Sequence, residues 1–287
     1  MTTPPALSLH EAHLRRLAEN ALLEDRAYDD ITTAALVPEG QRGRAVLLAK
    51  AEGVIAGLPV ARAVFVAMDA ALRFTPHVEE GARVAPGSRL ATLEGAVAPI
   101  LRAERVALNY LQRLSGIATL TARYVERLQG TGTRLRDTRK TTPGLRTLEK
   151  YAVRVGGGTN HRLSLADGVL VKDNHLAALR ARGLGIGDAV RLLREANPGM
   201  PVQVEVTTFQ EAEQALAAGA DSLLLDNMPL DEMRRVVALA KGRAVLEASG
   251  GITLDNVRQV AETGVDYVSV GAITHSAPAL DISLELE

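Results

Sequence analysis

The sequence predicts an α/β protein built from two differently textured parts. From about residue 133 onward, six short apolar runs (TRLRDTR, GVLVKDN, PVQVEVT, SLLLDNM, AVLEASGG and YVSVG) alternate with amphipathic segments. The first 115 or so residues read instead as short strands with glycine turns, flanked by helical patterns. At 287 residues and 47% hydrophobic content, the chain is long enough to bury either one barrel-sized core or two smaller ones.

Taken in order, the N-terminal part opens with a helical pattern at about 7 to 24. RAVLLAKAEGVIAG and EGARVAPGSRLATLEG follow as short strands, and a second helical pattern covers about 99 to 129. The second of those stretches resembles half of a biotinyl or lipoyl carrier module, but no lysine occupies a turn within it, so a carrier role is set aside. In the C-terminal part the helices carry their own start and stop signals. Thr208 and Glu211 form a capping box before a run that stops at Gly219, and Thr253 opens a helix that stops at Gly264. Four to six consecutive βα units with strands apolar on both faces imply a parallel sheet covered by helices, either closed as a barrel or open and doubly wound.

Composition excludes several function classes. The 33 Lys plus Arg nearly balance 34 Asp plus Glu, which argues against a nucleic-acid-coating surface and makes any cationic cluster local. There is no cysteine, hence no disulfide, thiolate zinc site or cysteine nucleophile. No apolar run approaches the roughly 18 residues needed to span a bilayer, and MTTPPALSLHEAHLRRLAEN has no signal-peptide apolar core. A soluble, cytoplasmic protein with no membrane partner is expected. His10 and His13 stand at helix spacing with no further candidate ligand nearby, so a metal site is not expected there.

The cationic cluster lies in residues 137 to 175, which carry Arg139, Lys140, Arg146, Lys150, Arg154, His161, Arg162, Lys172 and His175. In a β/α barrel the working face is at the carboxyl ends of the strands. Those ends carry Asp137, Arg139 and Lys140, then Lys172, Asp173 and Asn174, then Glu205, Asp226 and Asn227, Glu247 and Ser249, and Ser269 and Gly271. Lys172 follows GVLV, where a strand end is largely enclosed, and an enclosed cation needs an anion. Four cations at one rim therefore point to a ligand with several negative groups, which arginine forks grip bidentately. SGGI and VGAI after the last two strands would let backbone N–H groups approach a phosphate. Glu205 and Asp226 suit Mg²⁺ or ribose hydroxyls, with electrostatic support of buried cations as the structural alternative.

With these residues in hand, the sequence resembles the quinolinate phosphoribosyltransferases over nearly its whole length. The carrying segments are EDRAYDDITT, AERVALNYLQRLSGIAT, DTRKTTPGLRTLEKYAV, GGGTNHR, KDNH, EVTT, LLLDNM and EASGGI, in family order; Asp29 stands where the family usually has glycine. The resemblance implies an N-terminal α/β sandwich domain (1–115), an incomplete (β/α) barrel (116–275) and a C-terminal tail (276–287) packing back on the N-terminal domain. It implies transfer of phosphoribosyl from 5-phosphoribosyl 1-diphosphate to quinolinate with loss of the 2-carboxylate, Mg²⁺ as cofactor, and a homodimer, or a hexamer as a trimer of dimers. It assigns quinolinate to Arg105, Arg139, His161, Arg162 and Lys172, with Arg105 entering the neighbouring subunit's site, and places Lys140 between quinolinate and the diphosphate. Glu205 and Asp226 take the ribose hydroxyls and Mg²⁺, and Ser249, Gly250, Gly251 and Gly271 the phosphate. Two other readings stay open: a related pyrophosphorylase-like protein associated with molybdenum transport, and a non-catalytic phosphate-ligand sensor. The signature of the nucleobase-salvage transferases, an apolar strand ending in two acids before a threonine-glycine loop, is missing.

Overall fold

The structure is a computed structural model that describes residues 9–240 and 242–287. The chain runs through α1 (Glu11–Glu24), α2 (Ile31–Leu36), β1 (Arg42–Ala49), β2 (Gly53–Val54), α3 (Leu58–Met68), β3 (Arg73–Pro76), β4 (Arg83–Val84) and β5 (Arg89–Ala96) to the long helix α4 (Val97–Arg127). It continues through β6 (Arg134–Arg136), α5 (Arg146–Val155), β7 (Val169–Val171), α6 (Asp173–Arg180) and α7 (Ile186–Ala196). Then come β8 (Val202–Val206), α8 (Phe209–Ala217), β9 (Ser222–Asp226), α9 (Leu230–Ala240), β10 (Val245–Ser249), α10 (Val257–Ala261) and β11 (Tyr267–Ser269). The short α11 (Ala272–His275) and β12 (Ile282–Leu286) end it. Two compact units emerge: one takes the chain up to Ala122 with Thr142–Gly157 and Ser276–Glu287, the other Arg123–Thr141 and Gly158–His275.

The first unit is built on an antiparallel sheet of order β12-β1-β5-β3. Its core gathers Leu22 of α1, Leu47, Leu93, Phe65 of α3 and Ile100 and Leu111 of α4, all fully buried. Burying each such side chain contributes about 1.5–3 kcal/mol. The first helix, expected over 7 to 24, begins at Glu11, with residues 7 and 8 outside the described part. At position 29 the aspartate needs no glycine, because the left-handed residue of that turn is Arg26 (φ 51°), and Asp29 pairs with its guanidinium at 3.0 Å. The α3 N-terminus is closed by Glu80, whose carboxylate accepts from the Gly57 and Leu58 amides at 2.8 Å and from the Tyr151 hydroxyl at 2.8 Å. Such a cap satisfies donors that a helix leaves unpaired.

The second unit is a six-stranded, all-parallel sheet of order β6-β11-β10-β9-β8-β7. Stepping from β7 to β11 always moves in one direction, and β6 lies beyond β11. This is the circular order of a barrel interrupted between β6 and β7, and not the reversing order of a doubly wound sheet. The break has a local cause: residues 137–168 between those strands contribute α5 to the first unit and no strand to the second. Thr159 instead forms a parallel bridge to Arg136 on β6.

Contrary to expectation, the strands are continuously apolar on one face only; the other is mostly polar, with Leu170 and Leu224 as apolar members. Leu135, Val204, Leu223, Leu225, Ala248 and Val268 are buried, whereas Arg136, Gln203, Glu205, Asp226, Glu247 and Ser269 occupy the alternating positions. The helix expected from Thr253 is regular from Val257 on; the Thr253 carbonyl accepts from the Val257 amide at 3.0 Å, and the Asn256 side chain accepts from the Thr253 amide at 2.8 Å, the reach-back bond of a capping box. At Thr208 the hydroxyl accepts from the Glu211 amide as expected, but the Glu211 carboxylate accepts from the Thr207 amide and not from that of Thr208.

In the first unit, α4 passes so close to the C-terminal segment that a Cβ at Gly116 would collide with the backbone of Pro278 and Ala279. Gly116→Ala is expected to destabilise the protein by about 1–3 kcal/mol, the usual cost of overpacking. The measurement is the urea midpoint; an unchanged midpoint would mean that this approach yields freely.

Candidate active site

The strands of the second unit end at a cavity of about 580 Å³. Its lining includes Arg139, Lys140, His161, Arg162, Lys172, Glu205, Asp226, Ser249, Gly250, Gly251 and Gly271, that is, every residue to which the resemblance assigns a role except Arg105. Arg105 lies on α4 in the first unit, with its side chain 59% exposed, beside a separate hollow that it shares with Arg26, Ile31 and Arg102. The rest of the cationic stretch divides by location: Arg146, Lys150 and Arg154 sit on α5, with Lys150 fully buried, and His175 is a capping residue whose Nδ1 accepts from the Lys172 amide at 2.9 Å.

Most of the functional side chains are placed at or just after strand ends, whereas His161 and Arg162 come from the glycine-rich loop that precedes β7. Residues two apart on a strand share a face, so Gln203 and Glu205, Leu224 and Asp226, and Glu247 and Ser249 point alike. Register aligns Glu205 with Leu224, Leu224 with Glu247, and Glu247 with Tyr267. The acidic side has Glu205 with Lys172 at 3.6 Å. Burial first, and then the charges of Asp226 and Asp173, push the Glu205 carboxyl above its ordinary value against the pull of Lys172.

On the cationic side, Arg162 donates to the Gly168 carbonyl at 2.8 Å, and burial followed by the neighbouring charge of Arg139 pushes its guanidinium below the ordinary value. Arg139 keeps its Nε buried without a hydrogen-bond partner. Leaving the bond of such a buried donor unmade costs about 1–3 kcal/mol. The Lys140 stem passes close to Gly271, and its carbonyl accepts from the Thr274 hydroxyl at 2.7 Å.

The floor of the cavity, to which Glu247 and Ser269 contribute, rests on a layer that is only half visible in the sequence, where Glu247 and Ser269 stand out as strand ends but Arg136 and Gln203 do not. Glu247 is 1% exposed and accepts from Arg136 at 2.6 Å, from Gln203 at 3.0 Å and from the Ser269 hydroxyl. Burial pushes its carboxyl up, but Arg136, His161, Ser269 and Gln203 together outweigh burial and hold it below the ordinary value. Arg136 stacks on the Tyr267 ring at 3.5 Å. The fully buried Asp137 accepts from the His161 amide and the Asn160 side chain, both at 2.7 Å, which fixes the glycine-rich loop. His275 lines the cavity as well. The available signal was polar residues at i and i+2 in RLR and VQVE, which a strand buried on both faces tolerates only where they are paired.

After β9 and β10 the backbone turns tightly. Asn227 takes a left-handed φ of 50°, its amide donates to the Ser249 carbonyl at 2.9 Å and its side chain donates to Asp226 at 2.8 Å. Gly250 (φ 87°) packs so tightly against the Asn227 side chain that a Cβ has no room. The two carboxylates, the cations and these bare amides form a site able to bind a multiply anionic ligand and to stabilise a departing phosphate group. Glu205, whose carboxyl the charge of Asp226 helps to raise, and Asp226 are also a donor set that fits Mg²⁺.

Because the folded-state pKa of Glu205 is raised, its ionisation costs stability as pH rises through that value. Glu205→Gln is therefore expected to raise the melting temperature of the ligand-free protein at pH 7. The gain should vanish below about pH 4, where the native carboxyl is protonated in folded and unfolded chains alike. Thermal unfolding against pH measures it, and a destabilised variant at pH 7 would show that the Lys172 pairing dominates.

Two family models match the chain: the N-terminal domain of quinolinate phosphoribosyl transferase over residues 30–115 and its C-terminal domain over residues 117–285. The nicotinate-nucleotide pyrophosphorylase (carboxylating) of Mycobacterium leprae is 45% identical over 279 residues, covering 95% of this chain and 96% of its own. The NadC structure from Streptococcus pyogenes superposes with a TM-score of 0.93 at 41% identity, and the nicotinate-nucleotide pyrophosphorylase from Francisella tularensis with 0.92 at 38%, each covering 98% of both chains. With the cavity and the interrupted barrel order already in place, these likenesses settle the classification: the chain belongs to the quinolinate phosphoribosyl transferase family.

Proposed function

We propose that this protein transfers the phosphoribosyl group of 5-phosphoribosyl 1-diphosphate to the ring nitrogen of quinolinate, giving nicotinate mononucleotide, diphosphate and CO2. The observation that carries the reading is the convergence of Arg139, Lys140, Arg162 and Lys172 on one cavity with Glu205, Asp226 and the glycines after β10 and β11. Quinolinate supplies two adjacent carboxylates for the cations. The sugar supplies a phosphate, a diphosphate and two hydroxyls for the glycine turns, Lys140 and the two acids.

In this reading Arg139, His161, Arg162 and Lys172 hold quinolinate so that its nitrogen stands in line with the ribose C1. The C1–O bond to diphosphate breaks early, and positive charge gathers on C1 before the nitrogen closes the new C–N bond. Positioning of this kind is worth up to about 7–11 kcal/mol for an ideally oriented bimolecular step. Lys140 stabilises the charge of the departing diphosphate. Glu205 and Asp226 would hold Mg²⁺, which when bound adds Lewis-acid stabilisation of phosphate oxygens. The quaternised ring nitrogen then accepts the electron pair of the C2–carboxylate bond as CO2 leaves, and C2 takes up a proton. The chain has only to hold that carboxylate out of the ring plane.

The same reading makes the protein a cytoplasmic homodimer, with Arg105 reaching the partner's site; no helix among the described residues is long and apolar enough to cross a membrane. Supporting the dimer, the segment next to the Arg105 hollow exposes Leu23, Tyr28, Ile31 and Leu36, an apolar surface expected to be covered.

Incubation with quinolinate, the sugar diphosphate and Mg²⁺ is expected to yield nicotinate mononucleotide with release of CO2; binding of the sugar diphosphate without turnover would favour a sensor. Arg139→Ala should raise the KM for quinolinate by about 10- to 100-fold, the loss of a charged hydrogen-bond pair, and that for the sugar diphosphate far less. Equal losses would contradict the assignment. Mixing inactive Arg105→Ala and Lys140→Ala subunits should restore activity, and no recovery after confirmed subunit exchange would remove Arg105 from the site.

A further inference from the structure

The buried layer under the cavity contains a chain of groups with only one consistent direction. Glu247 accepts from Arg136 at 2.6 Å and is therefore an ionised, acceptor-only group. Gln203 approaches it at 3.0 Å and must present its amide NH2, which turns the Gln203 carbonyl oxygen the other way. That oxygen lies 3.0 Å from Nε2 of His161, and an amide oxygen accepts only. His161 Nε2 must then carry hydrogen, whatever its second nitrogen does. Glu247 Oε2 stands 3.7 Å from the same Nε2, beyond hydrogen-bond reach, so the hydrogen-bonded link between them runs through the amide, beside the direct attraction of the charge.

We propose that Glu247 is a positioning residue for His161: acting through Gln203, it locks the imidazole as the Nε2–H form and holds its ring at the cavity wall. Arg136, fixed between Glu247 and the Tyr267 ring, and the Ser269 hydroxyl keep the carboxylate ionised and oriented. A histidine whose ring face and tautomer are preset loses less freedom when an anionic ligand binds, so the layer tunes ligand affinity and not the chemical step. The contribution of the amide is separable from folding because the Arg136–Glu247 pair survives when only Gln203 is altered.

The test has a spectroscopic arm, independent of any substrate, and a kinetic arm that rests on the quinolinate reading. In histidine-¹⁵N-labelled full-length protein without ligand, long-range ¹H–¹⁵N correlation at about pH 9, above the ordinary imidazole range, should show Nε2 of His161 protonated. An Nε2 bearing the lone pair overturns the proposal, and this result would leave the transferase reading standing. Gln203→Met, which keeps length but removes the amide, should let the other tautomer appear, as should Glu247→Asp, which retains a charge for Arg136 but withdraws the carboxylate from Gln203. An unchanged tautomer in both variants also overturns it. Kinetically, each variant is expected to raise the KM for quinolinate about tenfold with kcat nearly unchanged. The double variant should be no worse than either single one; independent, multiplying effects would show that Glu247 does not act through Gln203.

Discussion

Charge matching on the inner face of an interrupted barrel is the constraint on which the other features of this protein rest. A cation or a carboxylate withdrawn from water there costs several kcal/mol unless opposite charge and hydrogen bonds surround it. Glu247, almost completely buried, meets that requirement with Arg136, Gln203 and Ser269. Glu205 meets it only in part, since Lys172 offsets neither its burial nor Asp226 and Asp173 completely. The two acids thus differ in kind. Glu247 belongs to a satisfied layer that holds other groups in place, whereas Glu205 is held in an unfavourable arrangement, with its carboxyl above the ordinary value.

The open barrel order is what makes such an interior available. A closed β/α barrel fills its inside with branched apolar layers. Here the stretch between β6 and β7 contributes no strand, and the glycine-rich loop carrying His161 and Arg162 is tied to β6 by Thr159 and Asp137 instead. Polar side chains then replace most of the apolar filling of the inner face, where Leu170 and Leu224 remain, while the opposite face of each strand is apolar. Site and stability are separated by strand parity: one set of alternating residues makes the core and the other makes the cavity.

Much of the site is legible in the sequence because strand ends are local features. An apolar run that ends in Lys172, Asp226 or Ser249 announces both the strand and the residue delivered at its carboxyl end. The glycines at 250, 251 and 271 mark the turns that follow. The layer beneath is harder to see. Arg136 and Gln203 lie inside runs that otherwise look like buried strands, and nothing local tells which partner neutralises Glu247. Lys150 and Arg154 mislead in the opposite sense, because nearness in sequence to Arg139 suggests a shared role, whereas the chain between them crosses from one unit to the other.

Strand and helix order in the second unit and the kinds of group delivered to its rim follow from backbone periodicity and capping over a few residues, so the linear chain already specifies them. Two outcomes have no such local origin: the barrel order of the parallel sheet with its break between β6 and β7, and the pairing of Glu247 with Arg136 and Gln203. They join residues up to 133 positions apart, and such pairings are set by packing and charge neutralisation across the folded sheet, which no local pattern encodes.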